Sequence, residues 1–357
     1  MTGQTIFLTG FPGFIAGRLV AELARGGARF LLLVQPALRA RAERDVARLA
    51  AETDAPAARF RLLAGDITQP QLGLAPDALA AARAETTHLF HLAAAYDLGV
   101  APDLAQRVNV EGTRRVNEFA RALPRLRRYD YVSTCYVAGR RTGLIYETEL
   151  EHDAGFRNHY EATKYAAEVE VERLKAELPV TIYRPAVVCG DSRTGETAKY
   201  DGVYYLINYL RKAPRLLALA NIGNRSVRLN VVPVDFVVRA LAALAADERA
   251  TRATVQLADP APLTTYELFE TIAQALARRG SLFQVPPALV HASLLLPVVA
   301  EPITGLPRVA VPYFFIEQTY DTTRAQALLA PHGVACPRFP DYAPALLDFV
   351  ERNPALK

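Results

Sequence analysis

The sequence predicts an α/β fold: a doubly wound parallel sheet with a smaller C-terminal substrate-binding lobe. Three observations carry this. Short β-branched and apolar runs alternate with long Ala-, Leu- and Arg-rich stretches of helical spacing, the strand-helix-strand order of a parallel sheet covered on both faces. The first of these runs ends in a glycine cluster just before a helical segment. A chain of 357 residues, 51% of them hydrophobic, can also bury one full α/β core with a lobe attached.

Taken in order, strands are predicted at 5–9, 30–34, 60–64, 88–92, 129–133 and 180–183, and helices at 14–25, 39–51, 76–84, 104–123 and 160–178. After Pro185 the alternation breaks into the polar loop GDSRTGETAKYDG, the apolar segment VYYLINYL and proline-rich joints between 286 and 312. The chain is expected to return to the sheet at VRLNVVPVDFVVRALAAL and at TVQLADP. The expected division is a nucleotide-binding core over 1–190, completed by 228–258, and a substrate lobe built from 191–227 and 259–357.

Composition removes several function classes. The net charge of +4 comes from scattered arginines, with no basic run interleaved with aromatics, so nucleic acid is not an expected partner. No window holds the roughly 18 uninterrupted apolar residues of a membrane span, and MTGQTIFL lacks the basic start of a secretory signal, so a cytoplasmic protein is expected. The three cysteines, Cys135, Cys189 and Cys336, lie far apart and read as reduced thiols. His88 and His91 fall on opposite faces of a strand, so no metal site is expected. The stretch PPALVHASLLLPVV at 286–299 reads as lobe packing, with a lid over an acyl channel or a peripheral membrane contact as the other reading. Oligomeric state is left open.

Gly10 and Gly13 sit at the turn between strand 5–9 and helix 14–25, with Ala16 in the third place of G-x-x-G-x-x-G/A and Gly17 after it. Amides at a helix start, with the helix dipole behind them, favour a pyrophosphate, and glycines let the backbone approach it. This is the pattern of a Rossmann-type dinucleotide cradle, with Phe14 and Ile15 beside it. After strand 30–34 the first acid is Glu43, while Gln35, Arg39 and Arg41 come sooner. A carboxylate there holds a ribose 2′-hydroxyl and an arginine holds a 2′-phosphate, so NADPH is expected over NADH.

Tyr160 and Lys164 lie four apart on one helix face, and Thr134 follows Ser133 at the end of strand 129–133, on the same sheet edge as the glycine turn. A tyrosine with an ordinary pKa near 10 is a poor acid at neutral pH, and a lysine ammonium and an oxidised nicotinamide nearby are expected to lower it. In this scheme Thr134 hydrogen-bonds a carbonyl oxygen while Tyr160 protonates it as hydride arrives.

Through these residues the chain resembles the extended short-chain dehydrogenase/reductase superfamily from residue 5 to about 240. It is more narrowly similar to the branch of fatty acyl-CoA reductases, male-sterility proteins and thioester reductase domains. The segments GDITQPQLGL, HLAAAYDL, NVEGTRRV, VSTCYVAG and YRPAVVCGDSRTGE follow in that branch's order. The resemblance implies that Asp66 and Ile67 meet the adenine, that Ala93 and Ala94 line the nicotinamide side, and that Asn109 supports the active-site backbone or the cofactor. It also implies that Pro185, Val187 and Val188 cover the nicotinamide amide and that Lys164 binds its ribose. Gln35 stands where the branch carries an arginine for the 2′-phosphate, which shifts that role to Arg39 or Arg41. The implied reaction is NADPH-dependent reduction of a long-chain acyl thioester, on coenzyme A or a carrier protein, through a hemithioacetal to an aldehyde or onward to an alcohol. Two alternatives stay open: a ketone/alcohol dehydrogenase acting on a steroid-, flavonoid- or 3-oxoacyl-like substrate, and a non-catalytic NADP-binding sensor or scaffold.

Overall fold

The computed structural model describes residues 3–212, 219–276, 280–294 and 312–356. In the N-terminal half the expected alternation is met closely: β1 (Thr5–Thr9), α1 (Phe14–Arg25), β2 (Arg29–Val34), α2 (Arg39–Thr53), β3 (Phe60–Ala64), α3 (Pro76–Glu85) and β4 (His88–His91). All five residues of β1 are buried, as a strand covered on both faces requires.

The helix expected over 104–123 is not continuous. A short α4 (Pro102–Ala105) runs into a π-helical turn at Gln106–Gly112 before α5 (Thr113–Arg121). Two side contacts accompany the wide turn. Asn109 is turned inward to bond the loop after β4, and Gly112 lies so close to Ile67 that an added Cβ would sit 2.8 Å from its Cδ1. Wide turns of this kind concentrate at functional sites.

The chain continues through β5 (Arg128–Val132), β6 (Gly143–Ile145), α6 (His159–Leu174), β7 (Val180–Pro185), β8 (Val187–Cys189), α7 (Val203–Lys212), β9 (Ala220–Asn221), β10 (Val231–Pro233), α8 (Val234–Ala245) and β11 (Thr254–Leu257). It ends with α9 (Thr265–Ala275), β12 (Phe283–Gln284), α10 (Pro287–Leu294), β13 (Gln318–Tyr320), α11 (Thr323–Leu329) and α12 (Phe339–Arg352). Seven strands form one sheet in the order β11-β7-β5-β4-β1-β2-β3, and every pairing in it is parallel. The order reverses between β1 and β4, where a sheet of this type opens a crevice at its carboxyl edge.

One expectation is corrected here. Of the two segments expected to return to the sheet, only TVQL does so, as edge strand β11. Val231–Pro233 pairs instead with Val187–Cys189 in a separate two-stranded sheet. That short parallel pair forms just after β7 leaves the main sheet, and α8 follows it directly, packing Val234, Val237 and Leu241 into the core.

One sheet face is covered by α1, α2 and α8, and the other by α5 and α6 with Leu79 and Ala82 of α3. A third cluster, from α7, α9 and α12, makes the lobe. The apolar face of VYYLINYL is spent on that cluster through Val203, Tyr204, Leu206, Ile207, Tyr209 and Leu210. Ala325 and Leu329 of α11 pack against the main core. Of the stretch 286–299, residues 295–299 lie outside the described residues. Among the described residues no helix is long and apolar enough to cross a membrane.

Candidate active site

A cleft of about 800 Å³ opens at the carboxyl edge of the sheet, between the ends of β1 and β4 and the lobe. Its near wall is the glycine turn. Gly10 has φ +94°, and a Cβ there would stand 2.8 Å from the Ala93 nitrogen and 2.9 Å from the Leu92 carbonyl carbon. A Cβ on Gly13 would stand 2.6 Å from the Gly10 oxygen. Gly13 is also the N-cap of α1, with no side-chain cap and no acidic residue in the first turn, so the helix amides face the cleft uncompensated. Ala16 is buried in the core, while nothing lies within 4 Å of a Cβ on Gly17. A cradle that side chains would fill, at an uncapped helix start, fits a pyrophosphate.

Beyond the turn, Gln35 and Asp66 come together from the ends of β2 and β3, the Gln35 amide donating to Asp66 Oδ2 at 3.1 Å. Asp66 Oδ1 accepts from the Thr68 amide, which fixes its rotamer toward the cleft. Arg41 lines this end of the cleft. Arg39 does not; it pairs with Glu43 at 2.9 Å on the outer face of α2. Phe14, Ile15, Ile67, Ala93, Ala94, Pro185, Val187 and Val188 all line the cleft. Asn109 stands behind the wall: its Oδ1 accepts from the Ala95 amide at 2.8 Å, and its Nδ2 donates to Ala95 O and to Thr163 Oγ1. It thereby ties the loop after β4 to α6.

The structure brings Thr134, Tyr160 and Lys164 to the opposite wall. Asn158 caps α6 by accepting from the Glu161 amide at 3.0 Å, which places Tyr160 in the first turn and Lys164 one turn on. Burial pushes the Tyr160 hydroxyl up to about 12, against a hydrogen bond with Thr134 that favours ionisation. The lowering expected from Lys164 is therefore absent from the chain alone. The reason is geometric: the Lys164 ammonium points to the Tyr131 hydroxyl at 3.0 Å and the Val132 carbonyl at 2.9 Å. Burial brings Lys164 itself down to about 8, with Glu168 working in the other direction.

Behind the wall that carries Thr134, Tyr160 and Lys164 is a buried polar set that the sequence pattern did not point to. Glu168 binds Arg184 through its Oε1, with Arg184 Nη2 at 2.6 Å and Nε at 2.7 Å, and accepts from the Ser133 hydroxyl. Arg184 also donates to the Glu149 carbonyl, so the strand before Thr134, α6 and β7 are fastened together. The signal was present: Glu168 lies four after Lys164, and Arg184 is a charged residue inside an apolar strand. Tyr313 was missed as well. Its hydroxyl donates to Glu161 at 2.5 Å and accepts from Asn158, and its ring lies 4.6 Å from that of Tyr136, which also lines the cleft. At the mouth, Lys199 sits 4.5 Å over the Tyr96 ring and pairs with Asp201.

Cys189 is buried, and burial pushes its thiol up, which leaves no reactive thiolate. Among the described residues no group of His, Cys, Asp and Glu is arranged to hold a metal.

Residues 8–241 match the family described as male sterility protein. Curated relatives include a glycine betaine reductase of Emericella nidulans, 27% identical over 75% of this chain and 22% of that protein. They also include a fatty acyl-CoA reductase of Drosophila melanogaster, 25% identical over 53% of this chain and 41% of that protein. The chain thus spans less than half the length of these relatives. Among solved structures, the terminal reductase domain of the myxalamid biosynthetic pathway superposes with a TM-score of 0.82 at 24% identity, over 100% of this chain and 92% of that one. A reductase domain of a nonribosomal peptide synthetase from Mycobacterium tuberculosis gives 0.71 at 21%, over 98% and 91%. These likenesses show the same fold. With the family match over most of the chain, the parallel sheet and the glycine cradle, this chain belongs to the male sterility protein family of extended short-chain dehydrogenase/reductases.

Proposed function

We propose that the chain is an NADPH-dependent acyl thioester reductase in which Thr134, Tyr160 and Lys164 form the catalytic set. The observation that carries this is the convergence of those three side chains on one cleft with the glycine cradle, with the cleft running on to an aromatic and apolar far wall of Tyr205, Leu229, Tyr313 and Phe314. The names of two relatives, a fatty acyl-CoA reductase and a reductase domain of a peptide synthetase, point to the same chemistry.

A nicotinamide cofactor supplies the hydride when bound. Gly10, Gly13, Phe14 and Ile15 would hold its pyrophosphate, Asp66 and Ile67 its adenine end, and Gln35 with Arg41 its 2′-phosphate. Thr134 Oγ1 accepts from the Tyr136 amide at 3.2 Å, and its hydroxyl proton, given to Tyr160 in the chain alone, would turn to the substrate carbonyl when one is bound. Tyr160, protonated throughout the neutral range, gives its proton to the same oxygen. Loss of the thiol from the resulting centre yields an aldehyde. A thiol leaving group of this kind arrives on coenzyme A or on a carrier protein.

The test is NADPH consumption with a panel of acyl-CoAs, acyl-carrier proteins, ketones and aldehydes, each product identified by mass. Aldehyde or alcohol from a thioester supports the reading, and turnover of ketones alone replaces the substrate. Tyr160→Phe should lower kcat by about 10²- to 10⁴-fold with cofactor affinity kept. If that variant leaves turnover unchanged, Tyr160 is not the acid; no turnover of any substrate, with Tyr160→Phe leaving cofactor binding and every cellular output unchanged, favours the sensor reading.

A further inference from the structure

Tyr160 stands at a weak place in its helix. It is the second residue of α6, in the turn whose backbone N–H groups have no carbonyl partner inside the helix, so the side chains around the cap must hold it. Those side chains form a closed circuit that reaches into the lobe. Asn158 Oδ1 accepts from the Glu161 amide at 3.0 Å, and Asn158 Nδ2 donates to the Tyr313 hydroxyl at 2.7 Å. Tyr313 donates in turn to Glu161 Oε1 at 2.5 Å, across 152 positions of the chain. Glu161 Oε2 accepts from the Arg157 amide at 2.9 Å, one residue before the cap, where the acid of a capping box would bond the cap residue itself. Asn158 and Glu161, which bracket Tyr160, are thus tied to each other through Tyr313.

The circuit is dry. Glu161 has no exposed surface and Tyr313 keeps only 5% of its own, so a donor removed here is not replaced at no cost by solvent. Burial, with the Glu161 charge beside it, pushes the Tyr313 hydroxyl up, and it therefore stays protonated and remains a donor. The lobe segment is pinned a second time five residues on, where Gln318 Nε2 donates to the Gly139 carbonyl at 2.7 Å and the Arg157 guanidinium donates to the same oxygen. The other side of Tyr313 faces the ligand space: its ring lies against Tyr136, and both rings line the cleft. One side chain therefore has its hydroxyl in the helix cap and its ring in the cleft.

We propose that Tyr313 is a positioning residue for Tyr160: its hydroxyl completes the cap that fixes the first turn of α6, while its ring is a surface on which the acyl group of the substrate packs. The inference rests on the acid role given to Tyr160 above. The two ends of the side chain then act on different kinetic quantities. Loss of the hydroxyl loosens the turn that aims the acid, and a small misplacement of a reacting group is felt in kcat. Loss of the ring removes contact made equally in the bound and the reacting substrate, and is felt in KM.

The experiment uses the whole chain and two readouts: steady-state kinetics with NADPH and whichever carbonyl substrate the panel above shows to be turned over, and amide hydrogen exchange over residues 159–163. Tyr313→Phe keeps the ring and removes the hydroxyl. It should lower kcat by about tenfold, hold KM within about twofold, and speed exchange over 159–163 by about tenfold. Tyr313→Leu removes the ring as well and should also raise KM. If Tyr313→Phe does not fold, Asn158→Ser is read in its place; it keeps an oxygen for the cap and drops the amide that donates to Tyr313, so it should move kcat and exchange in the same directions. Unchanged exchange in the folded variant overturns the inference, in an active or an inactive chain, and so does faster exchange with an unmoved kcat. Turnover of ketones alone removes the thioester reading and leaves the same split between kcat and KM to be read, so the two failures are distinct.

Discussion

The two walls of the cleft are built by different means. The glycine wall is made of backbone: two residues without Cβ, an uncapped helix start, and strand ends whose spacing is local in sequence. The wall of Thr134, Tyr160 and Lys164 is made of side chains fastened over long separations, with Lys164 reaching Tyr131, Asn109 reaching Thr163, Glu168 reaching Arg184 and Tyr313 reaching Glu161. A backbone wall fails by crowding, and a side-chain wall fails by leaving a buried partner unpaired. The two therefore break differently, and the second breaks harder.

The largest effect is expected at Glu168. Glu168→Leu strands the Arg184 guanidinium in a site with 2% side-chain exposure, and loss of one member of a buried pair costs about 3–5 kcal/mol. The measurement is the denaturant midpoint, with m unchanged. A loss below about 1 kcal/mol would mean that Arg184 finds enough support from the Glu149 carbonyl, and that this wall is less tightly coupled than its geometry implies.

On the glycine wall, Gly13→Ala forces a methyl to within 2.6 Å of the Gly10 oxygen. The turn must open, at a cost of about 1–3 kcal/mol in stability, and cofactor should weaken by at least about tenfold because the amides are displaced from the pyrophosphate position. Titration calorimetry with the cofactor checks it. If stability falls and affinity holds, the turn is structural and the pyrophosphate lies elsewhere.

The end of the cleft proposed for the 2′-phosphate separates two arginines that the sequence left undivided. Arg41 lines the cleft, whereas Arg39 is spent on Glu43 outside it. Arg41→Ala should weaken NADPH by about tenfold with little change for NADH, and Arg39→Ala should change neither. Gln35→Asp, which sets a second carboxylate beside Asp66, should shift the preference toward NADH. An NADPH to NADH ratio unmoved by all three substitutions would remove the 2′-phosphate assignment.

The same contrast explains what was legible in the sequence. Strand and helix periods, the glycine spacing and the Tyr160–Lys164 spacing are short-range patterns, and they located β1 to β5, α1 to α3 and both walls of the cleft. The π turn at Gln106–Gly112 was invisible because 104–123 keeps a helical apolar period straight through it, and the extra residue is demanded by contacts of Asn109 and Gly112 with distant loops. Val231–Pro233 has the composition of a strand in the main sheet, but nothing local tells it that its partner is β8. Arg39 and Arg41 differ only in which side of α2 they occupy, which the sequence could have shown once the helix start at Arg39 was fixed.

The smallest predicted effect sharpens the comparison most, because it has the opposite sign. Gly17 belongs to the same glycine cluster by sequence, yet nothing lies within 4 Å of a Cβ built on it, and it sits inside α1, where the backbone is already helical. A glycine in a helix interior forfeits about 0.5–1 kcal/mol relative to alanine through the freedom of the unfolded chain. Gly17→Ala should therefore raise stability by about that amount and leave cofactor affinity unchanged, read as a higher denaturant midpoint and an unaltered binding isotherm. The cradle then ends at Gly13, and Gly17 is only a helix residue. Weaker cofactor binding in Gly17→Ala would instead extend the cradle into the second turn of α1, where a close approach by the ligand itself is the remaining reason to keep a residue without a side chain.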